Sequence, residues 1–221
     1  GFSPAADVRP VGVRQEGEGQ AFEICGRSFR LPVPGGHNVL NAAAAVCLSG
    51  WAGASLEQCS EALAQVALPE LRLQRRRIGD VEYLLDCYNS NPTAMRAALS
   101  TVLERYSGRR LMVVCGDMLE LGSAAPHLHM HLGRVLALMR VDTLVAVGPL
   151  GRYLVRGWSQ FAGEDQKAFH LSSADQAWPV VEQNVEAGDV VLIKGSRAMQ
   201  LESIPEAIAR RAASSQQEAV A

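Results

Sequence analysis

Three short stretches of this chain combine charge with glycine or asparagine: Asp86-Cys87-Tyr88-Asn89-Ser90-Asn91-Pro92, Cys115-Gly116-Asp117-Met118-Leu119-Glu120-Leu121-Gly122 and Lys194-Gly195-Ser196-Arg197. In the third, two cations and a hydroxyl stand where a helix should open. Backbone N–H groups there complete an anion site suited to a carboxylate or a phosphate. The first two supply carboxylates, which accept hydrogens from hydroxyl or ammonium groups. Each stretch taken singly is also ordinary turn chemistry: asparagine tolerates unusual backbone angles, glycine ends helices, and Asp or Ser caps them. Asn91, directly before Pro92, is as well explained by helix capping as by ligand binding. His127, His129 and His131 share one segment, but no cysteine or carboxylate cluster completes a tetrahedral set, so no metal site is expected. Cys87 and Cys115 read as small core residues rather than nucleophiles.

The hydrophobic rhythm around these stretches sets the elements that must position them. From residue 71 onward it predicts strands at 73–78, 81–87, 111–115, 143–147, 168–171 and 189–194. Helices are predicted at 93–105, 126–139, 153–161, 174–185 and 199–211. Strands nearly continuous in Val, Leu and Ile, alternating with helices, mean a parallel sheet covered on both faces: a doubly wound α/β domain. Ligands of such sheets bind beyond the carboxyl ends of the strands, where all three stretches fall.

Residues 1–34 alternate weakly and read as short strands in a hairpin. An alanine-rich helix is expected at 38–49, stopped by Gly50, and a second is capped by Ser55 and runs to about residue 67 before Pro69. So little apolar material cannot close a core alone. The expected division is therefore 1–70, the tail of a domain begun upstream, and 71–221. The small, polar run 212–221 is expected to fray.

The 221 residues are 48% hydrophobic and 20% charged, with a formal net charge of -2. That balance provides no broad basic field for nucleic acid or anionic lipid, although Arg75-Arg76-Arg77 is a local cluster able to meet phosphate. No apolar run reaches the ~20 residues of a membrane span, and Gly1-Phe2-Ser3-Pro4 does not resemble a signal peptide. Five scattered cysteines point to free thiols in a reducing compartment, so a cytoplasmic protein without membrane insertion is expected.

Four motifs carry a family resemblance. Gly36-His37-Asn38-Val39-Leu40-Asn41-Ala42 is similar to the G-x-H-N-V-x-N-A motif of the Mur ligase superfamily. Asp86 to Met95 resembles the D-x-Y-N-A-N-P-x-S-M signature of the members that add D-alanyl-D-alanine, the MurF type. Gly116 to Gly122 with His129 and Gly133 resembles G-D-M-x-E-L-G…H-x-x-x-G. Lys194 to Met199 with Glu202 resembles K-G-S-R-x-M-x-x-E. The four fall in the family's order over about residues 35–202.

The resemblance implies a Rossmann-like C-terminal ligase domain behind the tail of a central ATPase-type domain. It implies a peptidoglycan-synthesis enzyme with ATP and Mg2+ as cofactors, and with UDP-N-acetylmuramoyl-tripeptide and D-alanyl-D-alanine as substrates. The tripeptide carboxylate is phosphorylated, the dipeptide amine attacks the acyl phosphate, and phosphate leaves as the amide forms. On the nucleotide side the resemblance places Asn38 and Asn41 near adenine or phosphates, Arg72 on phosphate and Asp86 on the ribose hydroxyls. It places Tyr88, Asn89, Asn91 and Glu120 with substrate, and Asp117, Lys194, Ser196 and Arg197 in the catalytic edge.

Two departures qualify the match. No G-x-x-x-x-G-K-[ST] phosphate loop occurs in these residues; the family carries it upstream, so this chain alone is not expected to catalyse ligation. Leu71-Arg72 stands where the family commonly has Gly-Arg. Two other readings compete: an amino-acid-adding relative, which would carry D-Y-A-H-x-P and K-G-H segments, and a non-catalytic nucleotide-binding α/β module.

Overall fold

The computed structural model describes residues 1–218. The chain divides into two compact units, Gly1–Pro69 and Glu70–Ala221.

The first unit holds a three-stranded antiparallel sheet in the order β1 (Val11–Glu16), β2 (Gly19–Ile24), β3 (Arg27–Leu31). The expected hairpin is β2–β3, closed by Cys25 and Gly26, both at positive φ as a two-residue turn requires. Strand β1 was not expected, because no residue on it is buried and its sequence therefore shows no alternation. Phe22 and Phe29 are cross-strand partners and stack with ring centroids 5.7 Å apart. Over them pack α1 (Gly36–Trp51), through Val39, Ala42, Ala43 and Val46, and α2 (Leu56–Leu63), through Cys59 and Leu63.

Helix α1 begins at Gly36, two residues before its expected start, so Asn38 lies inside the first turn and does not cap the helix. Ser55 does cap α2, in a reciprocal capping box with Gln58. That helix ends at Leu63 instead of near residue 67, because its last carbonyls are taken by tightened i→i+3 bonds from Gln65 and Val66.

The second unit is a six-stranded sheet ordered β4 (Gln74–Ile78), β5 (Val81–Leu85), β9 (Val190–Lys194), β6 (Leu111–Gly116), β7 (Thr143–Val147), β8 (Lys167–Leu171). Only the edge strand β4 is antiparallel; the other pairings are parallel. Helices cover both faces, so the doubly wound α/β expectation holds. Alternate side chains feed two cores. Val113, Leu144 and Leu192 meet α3 (Pro92–Arg105), α4 (Ala125–Leu138) and α5 (Gly151–Trp158). Val114, Val145 and Ile193 meet α6 (Ala174–Asn184) and α7 (Ser203–Glu218).

Helix α7 starts later than expected, because Gln200 adopts a left-handed conformation after a short 3-10 turn at Arg197–Met199. It continues through Glu218 instead of fraying at residue 212. Residues 219–221 of the expected frayed tail lie outside the described residues. Helices α4 and α5 cross with almost no space between them. A Cβ on Gly133 would stand 2.0 Å from the Leu154 carbonyl oxygen, and one on Gly157 1.9 Å from that of Met130.

Candidate functional site

Because β9 inserts between β5 and β6, the loops following these three strands are neighbours at the carboxyl edge of the sheet. Asp86, Asp117 and Lys194 all lie there, each on or just past its strand. Two glycines allow the loops to approach: a Cβ on Gly195 would come 3.1 Å from the Gly116 Cα and 2.7 Å from Leu201, and one on Gly116 would meet Leu201 at 2.9 Å. The glycines of the second and third motifs thus answer to each other sterically.

Lys194 is buried and donates to three oxygens: Asp86 Oδ2 at 2.7 Å, the Asn89 carbonyl at 3.0 Å and the Asp86 carbonyl at 3.3 Å. An ammonium group has three hydrogens, so Lys194 clamps the loop after β5 to the end of β9. The other Asp86 oxygen accepts from the Leu73 amide at 3.2 Å, drawing in the backbone beside Arg72. Arg72 lies over the exposed Tyr88 ring, 4.5 Å from its centroid. Leu71 and Leu73 on either side have φ of 60° and 50°. Leucine at such a φ is strained by ~1–2 kcal/mol.

Ser196 joins the other two loops. Its Oγ accepts from the Leu119 amide at 2.9 Å, and its own amide donates to the Asp117 carbonyl at 3.2 Å. The buried Asp117 carboxylate receives the Leu150 amide at 3.0 and 3.2 Å, tying in the loop after β7. Desolvation is the largest influence on Asp117 and raises its pKa; the Leu150 amide and the nearby His129 and His170 only partly offset it. His129 accepts the Met118 amide on Nε2 at 2.9 Å and donates from Nδ1 to the Ala125 carbonyl at 2.7 Å. These bonds define a neutral ring, and burial lowers its pKa accordingly.

Asp117, Lys194 and Ser196 therefore hold the loops in place with the atoms the sequence had offered to ligands. Among the predicted site residues of this edge, Arg72, Tyr88, Asn89, Asn91, Glu120 and Arg197 are exposed. Arg197 pairs with Glu202, whose carboxylate raises the guanidinium pKa and also accepts the Cys87 thiol at 3.8 Å. Asn91 is the N-cap of α3, its Oδ1 accepting from Ala94 at 2.8 Å. In the first unit, Asn38 donates to the Pro34 carbonyl at 2.7 Å, and Asn41 donates to Asn38 at 3.4 Å. Burial pushes the Cys87 and Cys115 thiols up to about 12, so neither is a nucleophile at neutral pH.

Among the described residues, no group of three or more His, Cys, Asp or Glu could hold a metal ion. His129, the buried member of the histidine trio, spends both nitrogens on backbone. No described helix is long and apolar enough to cross a membrane. The residues that sequence reading passed over are Gly148 and Leu150. Gly148 has φ 107°, and a Cβ there would stand 2.7 Å from the Asp117 carboxylate. The Gly148-Pro149 pair after β7 was the available signal.

The family model for the Mur ligase, glutamate ligase domain matches residues 71–197, more than half of the chain. The chain belongs to the Mur ligase family. Among curated relatives, this Mur ligase chain is 33% identical over 203 residues to the UDP-N-acetylmuramoyl-tripeptide–D-alanyl-D-alanine ligase of Bacillus subtilis, covering 90% of this chain and 44% of that protein. It is 32% identical over 182 residues to the Escherichia coli enzyme of the same name, covering 80% and 38%. A crystal structure of MurF from Acinetobacter baumannii superposes with a TM-score of 0.81 at 29% identity, over 94% of this chain and 46% of that one. The chain thus spans less than half the length of these relatives.

Proposed function

We propose that this Mur ligase chain is the C-terminal part of an ATP-dependent enzyme that joins D-alanyl-D-alanine to UDP-N-acetylmuramoyl-tripeptide in peptidoglycan synthesis. One observation carries the reading: the three motif loops occupy adjacent strand ends and are bonded to one another through Lys194 and Ser196. The relatives at 33% and 32% identity bear the name of that ligase.

ATP, when bound, supplies the phosphoryl group that turns the tripeptide carboxylate into an electrophile. Arg72 would meet its phosphates, and Asp86 its ribose hydroxyls; each carboxylate oxygen already has one partner but offers two lone pairs. In the first unit, Asn38 and Asn41 would contact nucleotide. Tyr88 and Asn89 would line the substrate side, with Asn91 fixing the helix behind them. Arg197 would hold the dipeptide carboxylate and Glu120 its ammonium group, both charges being exposed at the edge. Asp117, Lys194 and Ser196 become positioning residues in this scheme. Among the described residues, no group of three or more His, Cys, Asp or Glu would hold Mg2+.

The test is phosphate release by the complete ligase carrying this chain, supplied with ATP, the nucleotide-linked tripeptide and one candidate acceptor at a time. Release dependent on D-alanyl-D-alanine is expected. Release dependent on a single amino acid instead would overturn the assignment in favour of an amino-acid-adding relative.

A further inference from the structure

At the other end of the second unit's sheet, away from the motif loops, lies a groove of about 480 Å³ lined by Arg75, Arg77, Asp80, Glu82, Arg109 and Gly188. Arg75 and Arg77 point to one side of β4, two residues apart, while Arg109 comes from the turn before β6. Beneath them Glu82 is buried. Its carboxylate accepts the Tyr106 hydroxyl at 2.7 Å and the guanidinium groups of Arg75, at 3.2 Å on Oε2, and Arg109, at 3.5 Å. Burial alone would raise the Glu82 pKa, but these donors outweigh it and hold the carboxyl below its usual value. Glu82 is thus a fixed anion that aims two cations.

Arg109 is pinned further by bonds to the Gly188 carbonyl at 2.6 Å and the Asp189 carbonyl at 3.0 Å. The ordering cost of two guanidinium groups is therefore met before any ligand arrives. The third, Arg77, pairs across the surface with Asp80 at 2.9 Å, both side chains being about two-thirds exposed, and donates from Nε to the Gly79 carbonyl at 3.1 Å. Such exposed pairs contribute ~0–1 kcal/mol and exchange readily. Three guanidinium groups against two carboxylates leave the groove with one excess positive charge. Its volume is within the ~300–1,000 Å³ of small-molecule sites.

We propose that this groove is a binding site for a phosphate-bearing small molecule, held by Arg75, Arg77 and Arg109. Planar guanidinium forks match phosphate oxygens two at a time, and Arg77 exchanges Asp80 for the ligand. The site is independent of the ligase reading, since it shares no residue with the motif loops.

The test titrates inorganic diphosphate into the 221-residue chain and follows backbone amide resonances. Saturable shifts at Gly188 and Arg109 are expected. Arg77→Ala should weaken the affinity about tenfold, the loss of one charge-assisted contact. Asp80→Asn should tighten it about threefold by removing the competing carboxylate. Both positions are exposed, so both variants retain the fold. Shifts confined to Gly195 and its neighbours, or affinities equal in the parent and both variants, would overturn the proposal.

Discussion

Lys194 and His129 show how single side chains at this edge build the site without being free to act in it. The Lys194–Asp86 pair is almost wholly removed from water, with side chains 4% and 15% exposed. Replacing the lysine alone leaves a carboxylate buried beside two carbonyl oxygens that have lost their donor. Breaking such a pair costs ~3–5 kcal/mol, so Lys194→Ala is expected to lower stability by about 3 kcal/mol, read from the urea midpoint. A change within 0.5 kcal/mol would mean that the ammonium group is not the clamp described here. His129 gives a pH signature. Its folded-state pKa lies below the ordinary 6.5, so the unfolded chain binds the proton first. Stability is then complete above pH 6.5 and falls as the pH drops through the window below it. Asp117, whose pKa is raised, acts in the opposite sense at lower pH, nearer its ordinary 3.8. Comparing the parent with His129→Gln isolates the histidine: the variant should lose the downward slope below pH 6.5, and parallel curves would remove His129 from the explanation.

Between elements, backbone proximity decides more than side-chain chemistry. Gly133→Ala places a methyl group against the Leu154 carbonyl, with 2.9 Å to the Trp158 nitrogen as well, so α4 and α5 must part. Forced overpacking costs ~1–3 kcal/mol or more, and a melting temperature lower by roughly 5–10 °C is expected. An unchanged melt would show that the helices separate without cost. The same proximity explains what the sequence disclosed and what it withheld. The alternation of β5, β6, β7 and β9 between two cores produced runs of Val, Leu and Ile that announce buried parallel strands. Strand β1 buries nothing and carried no such sign. The three motif loops were recognisable because each bears polar groups at a strand end. That Ser196 would accept Leu119, or Asp117 accept Leu150, depends on β9 lying beside β6 and on β7 beyond it, and strand order is not written in local spacing. The Glu82 cluster was half visible: the Gly79-Asp80 turn fixes the register that brings β4 arginines against it, but Arg109 arrives from outside the hairpin.

At the scale of the whole molecule, the second unit presents two differently charged ends of one sheet. The carboxyl end carries the loops shared with the Mur ligase family, and the amino end carries the arginine groove. The proposed function requires that the exposed charges at the carboxyl end, Glu120 from one loop and Arg197 from another, meet opposite termini of a single dipeptide. Steady-state kinetics of the complete ligase test this most directly, with Glu120→Gln and Arg197→Ala each assayed against all three substrates. Each variant is predicted to raise the KM for D-alanyl-D-alanine about tenfold, the loss of one ionic contact, while the KM values for ATP and the tripeptide stay within about twofold. Unchanged dipeptide kinetics in both variants, or an equal loss toward all three substrates, would contradict a shared cleft for the dipeptide.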